Sequence, residues 1–382
     1  MLKDGHISPT QLVAIFFILI IGKEMDSGVL ILIHWGHGAA ELLLAISELS
    51  MAVVIILLFP LFKEPNKNII DHFYTTFGSF LAPLFSSIFF AALLLDLGMN
   101  IKFDIEQIRT VFLPTTPITI VLFICILAMT IPVFYGIEVL SRTNLIMFGM
   151  MLTVQLIWDT SSLSKFRADT LPPIFGPGLG MLVKEGILHT GFFGELLTYF
   201  MFRPYVRSYS SFKRSFYVVV LATLLLGVIR LLLLQSAFPY PTDDHLFFPF
   251  IELARLLYFG RYIQHVEAVY AVIWLAVALA RLSIMMYLLA LMTAAIGRTH
   301  NYRRFVTSIA SLVYYGALLP FTLSDAIDFK DVVLEKRLSF VYIGVVFLFL
   351  MISYFKLWRE KHAPNPANSK LRTLKLDKKE PP

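Results

Sequence analysis

The first long apolar stretch of the chain, residues 10–33, is interrupted at its middle by the sequence GKEMDSG at residues 22–28. As an α-helix this stretch would extend about 36 Å, which is enough to cross a bilayer. A charged residue at the centre of such a helix costs about 2.5–3.5 kcal/mol on an insertion scale, whereas each Ile, Leu or Phe returns only about 0.3–0.6 kcal/mol. A continuous helix facing lipid is therefore unfavourable.

Two interpretations of this interruption remain open. In the first, the helix unwinds between its glycines inside a protein bundle, and Asp26, Ser27 and Gly28 line a polar cavity that binds a ligand. In the second, the helix is continuous, Lys23 pairs with Asp26 or Glu24 at helical spacing, and the segment only packs against its neighbours. The unwound helix is the working prediction.

The composition is that of a polytopic α-helical membrane protein. Of 382 residues, 58% are hydrophobic and 15% are charged, with a mean hydropathy of +0.76, whereas about a quarter of the residues of a soluble domain are charged. Apolar runs and their Pro and Gly boundaries predict ten transmembrane helices. These cover residues 10–33, 39–60, 79–99, 117–135, 143–159, 187–204, 215–235, 267–294, 305–322 and 339–357.

The regions between and beyond these spans set the expected topology. Basic residues number 19 on the side of the two termini, 10 on the opposite side and 3 within spans, so both termini are predicted to be cytoplasmic. Residues 1–357 should form one transmembrane domain, and residues 358–382 a basic, disordered tail. The first span should act as an uncleaved signal anchor. Residues 171–178 are expected in an external loop or re-entrant segment, and residues 245–259 at the interface.

Ten spans divide into two sets of five, at about residues 10–159 and 187–357. Each set starts with a helix that contains glycines and an acid: Gly22, Asp26 and Gly28 in the first span, and Gly191, Gly194 and Glu195 in the sixth. Paired broken helices at equivalent positions are typical of an inverted-repeat transporter with its binding site near the membrane midplane. The alternative is that Gly191 and Gly194 only allow close helix packing.

Other ionisable residues inside spans should face the bundle or water. Asp96 on the third span is interpreted either as a contact for a cationic ligand group or proton relay, or as a solvated residue near a helix end. Arg281 on the eighth span either neutralises a carboxylate of the first or sixth helix or clamps a ligand. Lys23 is a further candidate for a proton-binding or ion-pair role.

Several kinds of site are not expected. The sequence has no P-loop, HExxH motif, nucleophile elbow or dinucleotide fingerprint, so we predict no enzyme activity and no cofactor. His34 and His37, three residues apart, favour an interfacial turn anchored by Trp35 over a metal site. The single cysteine, Cys125, excludes intrachain disulfides, and the net charge of +6 does not indicate nucleic-acid binding.

The order of several motifs resembles that of the endospore germination permeases. Arg109 with LPTTP at residues 113–117, and GIEVLSR at residues 136–142, are similar to that family's "R…LPxTP" and "GxExxxR" motifs. Residues 65–71 resemble its loop between the second and third helices, and residues 248–274 resemble its "P…R…FIERxE…W" block. The similarity extends from Ser8 to about Lys356.

This resemblance implies the B subunit of a nutrient germinant receptor in the inner membrane of the spore, a ten-helix relative of amino acid transporters with the LeuT-like fold of the APC superfamily. It implies a partly soluble A subunit and a lipoprotein C subunit as partners. It also implies a nutrient pocket between the first, third, sixth and eighth helices. Matched residue by residue, that pocket would contain Ser27, Gly28, Gly194, Glu195, Ser283 and Tyr287.

The chain departs from the family pattern at three places, which bear on ligand specificity more than on fold. Asp26-Ser27-Gly28 replaces a Gly-x-Gly pair, His265 replaces the Arg of "FIERxE", and Lys23-Glu24 adds charge. The predicted function is a germinant-sensing, permease-like subunit whose small nutrient shifts a conformational equilibrium read by its partners. The alternative is an ion-coupled amino acid transporter that uses Asp26, Glu195 or Asp96 as a proton-binding carboxylate.

Overall fold

The computed structural model describes residues 5–163, 166, 175–256, 266–319 and 322–362, in which helices occur and no strand does. Its α-helices are α1 (Pro9–Glu24), α2 (Leu30–Gly36), α3 (Ala40–Leu58), α4 (Ile69–Val111), α5 (Ile118–Tyr135), α6 (Ile137–Ser162), α7 (Leu179–Leu188), α8 (Tyr209–Ala237), α9 (Pro249–Arg255), α10 (Val266–Ile296), α11 (Arg303–Leu318), α12 (Leu323–Phe329) and α13 (Ser339–His362). The other helical segments are 3₁₀ (Ser27–Val29, Phe59–Phe62, His189–Tyr205 and Asp243–His245) and π (Lys330–Leu338).

Within the described residues, seven helical stretches are long and apolar enough to cross a membrane. They are Ala40–Phe62, Ile69–Val111, Ile118–Tyr135, Ile137–Ser162, Tyr209–Ala237, Ala268–Ile296 and Leu323–Arg359. They correspond to seven of the ten predicted spans. The first and sixth spans fall short of this criterion because each is broken, and the ninth, Arg303–Leu318, has only 16 residues.

The first helix is broken where the sequence predicts. Helix α1 begins with a capping box between Ser8 and Gln11 and ends at Glu24, and Asp26 has an extended backbone with φ −96° and ψ −176°. The Asp26 carboxylate accepts a hydrogen bond from the Gly28 amide at 2.6 Å, so it caps the 3₁₀ turn that leads into α2. Residues 25–29 are called the first break below. The continuous-helix interpretation is wrong.

The sixth helix does not unwind but changes from an α-helix to a 3₁₀ helix. Helix α7 continues as the 3₁₀ helix His189–Tyr205, with a kink at Phe193. A Cβ atom on Gly191 would lie 2.5 Å from the Ser339 Cβ and 2.8 Å from the Glu335 carbonyl oxygen. Gly191 therefore also permits close packing against the tenth helix, as the alternative interpretation held. Residues 189–194 are called the second break.

Two helices are longer than predicted. Helix α4 extends to both sides of the expected residues 79–99, with a kink at Gly78, where φ is +78°. The tenth helical stretch begins at Leu323 rather than at residue 339, and α13 continues past residue 357 to His362. A hydropathy criterion ends a span at polar residues, but several polar residues of these extensions, such as Asn100, Lys102 and Lys330, are buried. Asp96 consequently lies well inside α4 and not near its end.

The broken first helix lies at the centre of the bundle. In α1 the residues from Ala14 to Glu24 are all buried, and α10 is buried through most of its second half. Helices α5 and α6, by contrast, expose large apolar side chains such as Phe123 and Ile146. The predicted interfacial segment forms a 3₁₀ turn and the short helix α9, and Phe247 between them contacts the first break. Residues 171–174, 257–265 with His265, and the tail from residue 363 lie outside the described residues.

Candidate ligand site at the two helix breaks

Lys23, in the last turn of α1, connects three helices. Its ammonium donates to the carbonyl oxygen of Phe192 at 2.7 Å, and it lies 3.5 Å from Asp96 Oδ2 and 3.8 Å from Glu195 Oε1. Its side chain is 3% exposed. The partners of Lys23 are thus on the third and sixth helices and are not Asp26 or Glu24, which were the partners expected for a continuous helix.

Asn100, one turn after Asp96 on α4, extends this network to the tenth helix. Its amide nitrogen donates to Glu195 Oε1 at 3.3 Å, and its oxygen accepts from Lys330 Nζ at 2.6 Å. Lys330 also lies 3.6 Å from Asp96 Oδ1. A Cβ atom on Gly28 would be 3.2 Å from Lys330 Nζ, so the missing side chain at the first break makes room for this lysine.

Arg281 neutralises the first break. Its Nη2 lies 3.0 Å from Asp26 Oδ2 and 3.2 Å from Asp104 Oδ2, and all three side chains are almost completely buried. A Cβ atom on Gly22 would be 3.0 Å from Arg281 Cδ, which explains a glycine at that position of α1. This geometry is that of a buried ion pair between the eighth, first and third helices, the structural role considered for Arg281.

A small cavity lies between these groups and the second break. Its polar lining comes from Asp96, Glu195, Glu335 and Tyr342, with Gly191 and Gly194 exposing backbone. The volume open to the centre of a water molecule is about 30 Å³, and one water needs about 10–15 Å³ by this measure. The cavity therefore has room for one or two water molecules and is closed to a whole nutrient.

A larger opening lies near the end of α2, on the side of the bundle opposite the N-terminus. Its volume, measured in the same way, is about 320 Å³, and His34, Trp35, Asp244, Phe247, Asp328 and Asp331 line it. Trp35 donates to Asp331 at 3.1 Å, and His34 lies 3.1 Å from Asp244. His37 instead contacts the Tyr240 hydroxyl at 3.1 Å. In the described part of the chain, no group of His, Cys, Asp and Glu side chains is arranged to hold a metal.

The structure brings most of the predicted site residues together. Asp96, Gly194 and Glu195 line the small cavity, and Lys23 lies 3.5 Å from Asp96 and 3.8 Å from Glu195. Asp26, Gly28 and Arg281 lie together at the first break and do not line the cavity. Ser27 faces the other way and donates to the Phe247 carbonyl oxygen at 2.9 Å.

The two candidates on the eighth helix make other contacts. Ser283 bonds to the Leu279 carbonyl oxygen of its own helix at 2.7 Å. Tyr287 contacts the Tyr205 hydroxyl at 3.2 Å and packs against Tyr302. Their ligand-binding role stays a prediction, and these contacts do not place them with Asp96 and Glu195.

Four buried residues of the site were missed by the sequence reasoning: Asn100, Asp104, Lys330 and Glu335. For the first two a signal existed, because Asp96, Asn100 and Asp104 recur every four residues and share one face of α4. Lys330 and Glu335 gave no such signal, since they lie in a polar segment before the apolar run of the tenth span.

Charge is unbalanced across the whole site. Among the described residues it contains five carboxylates (Asp26, Asp96, Asp104, Glu195 and Glu335) and three cationic side chains (Lys23, Arg281 and Lys330). Because isolated buried charges are very unfavourable, such a site must gain protons or bind a cationic group.

Comparison with known proteins identifies both a family and a fold. A family model for spore germination proteins, the spore permease model, matches residues 6–326. Among solved structures, one similar to the chain is that of Mhp1, a nucleobase-cation-symport-1 family transporter, in a closed conformation with bromovinylhydantoin bound. The TM-score is 0.65 at 14% sequence identity, with 94% of this chain and 80% of that chain covered. No curated protein matches the chain in sequence.

The structural likeness confirms the predicted fold class: an all-helical membrane protein of the LeuT-like, APC-type fold with broken first and sixth helices. It is evidence for the fold alone, because the sequence identity is low.

Proposed function

Because the chain belongs to the spore germination permease family, we propose that this integral membrane protein is the permease-like B subunit of a nutrient germinant receptor. It binds a small nutrient, an amino acid or related solute, between its two helix breaks. The observation that carries the proposal is the cavity between Asp96, Gly194, Glu195 and Glu335, where side chains and free backbone of four helical segments converge in a transporter fold.

The proposed mechanism is a population shift without covalent chemistry. The cavity is too small for a whole nutrient in this structure, so we expect binding to separate the tenth helix from the third and sixth helices that line the cavity. A nutrient that binds only the open state favours that state in proportion to its affinity difference. The A and C subunits then read the change at the surface. In this proposal the protein lies in the inner membrane of the spore with both termini in the cytoplasm.

Alanine substitutions at the two breaks test this function. Spores whose only copy carries Gly28→Ala or Gly194→Ala should need at least about tenfold more nutrient for half-maximal germination, because a methyl group would collide with Asp26 or with Tyr342 in the site. Germination is scored against a panel of amino acids and normalised to subunit abundance from immunoblots. The matched control is Gly149→Ala on α6, where no described atom lies within 4 Å of the new methyl group.

Unchanged half-maximal concentrations in both variants, with normal abundance, would contradict the proposal. The surplus of carboxylates favours one second candidate, an ion-coupled amino acid transporter. Concentrative uptake of labelled amino acids into proteoliposomes, driven by a proton gradient, would support the transporter, and binding without uptake would support the sensor.

A further inference from the structure

We propose that Glu335, together with Glu195, forms a subsite for a positively charged amino group, so that the ligand of this chain carries an aliphatic ammonium. The identification of that ligand as a germinant rests on the proposed function, whereas the subsite itself rests on the contacts described below.

Glu335 is a buried carboxylate without a partner. The residue is 2% exposed and lines the small cavity, and within the described residues neither of its side-chain oxygens has a hydrogen-bond partner. Across the cavity, the second oxygen of Glu195, Oε2, also lacks a partner there. A buried polar atom left without a partner costs about 1–3 kcal/mol, and more when charged. Three open acceptor oxygens in one cavity therefore indicate a donor that comes from outside.

The neighbouring lysines do not supply this donor. Lys23 donates to the Phe192 carbonyl oxygen at 2.7 Å and Lys330 to the Asn100 side-chain oxygen at 2.6 Å, and neither forms a hydrogen bond with the open oxygens of Glu335 and Glu195. Asp96 lies between them, with its two oxygens 3.5 Å and 3.6 Å from the two ammonium groups. Against these two cations the cavity presents three carboxylates, Asp96, Glu195 and Glu335, and the nearby His189 is hydrogen-bonded to Asp331 at 3.0 Å.

A proton on Glu335 would remove the charge but not the missing hydrogen bond. The other oxygen of Glu335 and Oε2 of Glu195 would still have no donor among the described residues. An ammonium group has three N–H donors and no acceptor, which matches the open oxygens of Glu335 and Glu195. It is also close in size to a water molecule, for which the cavity has room.

The rest of the cavity wall indicates what the ammonium is attached to. Phe89, Leu93, Leu334 and Leu338 line it with apolar side chains. A short alkyl group would pack there, whereas a second charged group would lose its hydration. The class of ligand is therefore a small amine, or an amino acid whose carboxylate stays outside this subsite.

The π-helix explains how Lys330 and Glu335 both reach the interior. Residues five apart diverge widely around an α-helix, but the i to i+5 hydrogen bonds of a π-helix bring them nearly into line. The segment Lys330–Leu338 has this geometry, and Lys330, Leu334 and Glu335 are its buried residues. Such wide turns occur often at functional sites.

A titration with matched probes tests the subsite. The purified full-length protein in lipid nanodiscs is titrated at neutral pH with ethylamine, and with ethanol and propionate as uncharged and anionic compounds of similar size. We expect ethylamine alone to raise Tm, and Glu335→Gln to weaken its binding by about tenfold or more, because the substitution removes a charge-assisted hydrogen bond. Glu64→Gln, on the exposed loop before α4, is the control and should behave like the wild type.

Equal ethylamine affinity in the wild type and Glu335→Gln would overturn the subsite, as would equal stabilisation by ethanol. Proton uptake in calorimetry without any ethylamine binding would also overturn it. If Glu335→Gln does not fold, Glu335→Asp keeps the charge but shortens the side chain, and unchanged affinity in that variant would be equally decisive.

The spore assay separates the two proposals. If Gly28→Ala and Gly194→Ala impair germination but Glu335→Gln leaves the half-maximal nutrient concentration unchanged, only the subsite fails. If ethylamine binding depends on Glu335 while none of these variants alters germination, only the receptor function fails.

Discussion

The first and sixth helices are both broken, but the charges beside the two breaks are balanced differently. At the first break Asp26 caps its own 3₁₀ turn and is held by Arg281 at 3.0 Å. Beside the second break Glu195 and Glu335 keep oxygens without partners among the described residues. The carboxylate of the first break thus has a hydrogen-bonded cation, although Arg281 Nε and Nη1 lack partners there, whereas the two carboxylates beside the second break keep oxygens that still need a donor.

Because of this difference, substitutions at the two breaks should change different properties, namely the stability of the fold and the affinity for a ligand. A buried ion pair contributes little net stability, but removing one partner leaves an unfavourable charge. A group without a partner, by contrast, can be substituted with little loss and is available to a ligand. The comparison therefore predicts a large loss of stability when the ion pair at the first break is removed, and a large loss of binding when a carboxylate beside the second break is removed.

The largest expected effect is that of Arg281→Met. It leaves Asp26 and Asp104 buried without their cation, which should destabilise the fold by about 3–5 kcal/mol. Thermal unfolding of the purified protein and its abundance in membranes measure this loss. Arg255→Met is the control, because Arg255 pairs with Glu252 on an exposed surface at 2.7 Å and should contribute no more than about 1 kcal/mol.

The opposite result is expected for the matched neutralisation beside the second break. Glu195→Gln reduces a surplus of negative charge, so Tm should stay unchanged or rise. A loss of stability in Glu195→Gln as large as that in Arg281→Met would remove the distinction between the two breaks.

An intermediate effect is expected from a methyl group at the second break. In Gly194→Ala the new Cβ atom would lie 2.5 Å from the Tyr342 hydroxyl oxygen, and such overpacking costs about 1–3 kcal/mol. Tyr342→Phe removes that oxygen and should recover most of the loss in a double-mutant cycle measured by Tm. Gly344→Ala on the same helix as Tyr342 has open space around it and serves as the control. Additive effects of the two substitutions would show that this contact does not set the geometry of the break.

The smallest effect concerns the loop that packs on the first break. Asp243 lies outside the membrane spans, and its burial, opposed by hydrogen bonds from the Gln235 side chain and backbone amides, raises its pKa from 3.8 to about 6. The folded state therefore binds this proton more tightly than the unfolded state does. The resulting stabilisation is complete below about pH 4 and is lost as the pH rises through about 6.

The loss should be about 1 kcal/mol, since the loop borders water. Tm recorded between pH 4 and pH 7 should fall less in Asp243→Asn than in the wild type, and equal slopes would contradict the assignment. A change in this range would sharpen the comparison, because it would assign this pH dependence of stability to the loop that covers the first break.

Much of the fold could be predicted from the sequence, since hydropathy and helix breakers act locally. The ordered apolar runs indicate an all-helical membrane protein, and the glycines and charges at residues 22–28 locate the break in the first helix because no lipid-facing helix tolerates them. The motif order identified the family. Asp96, Gly194, Glu195 and Lys23 could also be named as candidate site residues, because polar residues and glycines inside apolar spans are conspicuous, and their role stays a prediction.

The partners of those residues were decided by tertiary structure alone. Lys23 pairs with residues 73 and 172 positions away rather than with its neighbours Glu24 and Asp26, because Glu24 faces Arg230 and Asp26 faces Arg281. Lys330 and Glu335 are buried in the site because their segment forms a π-helix. Hydropathy assigns this polar segment to a loop. Hydropathy measures the affinity of a segment for lipid, whereas the burial of a charge depends on which distant helix supplies its counter-charge, and only packing determines that.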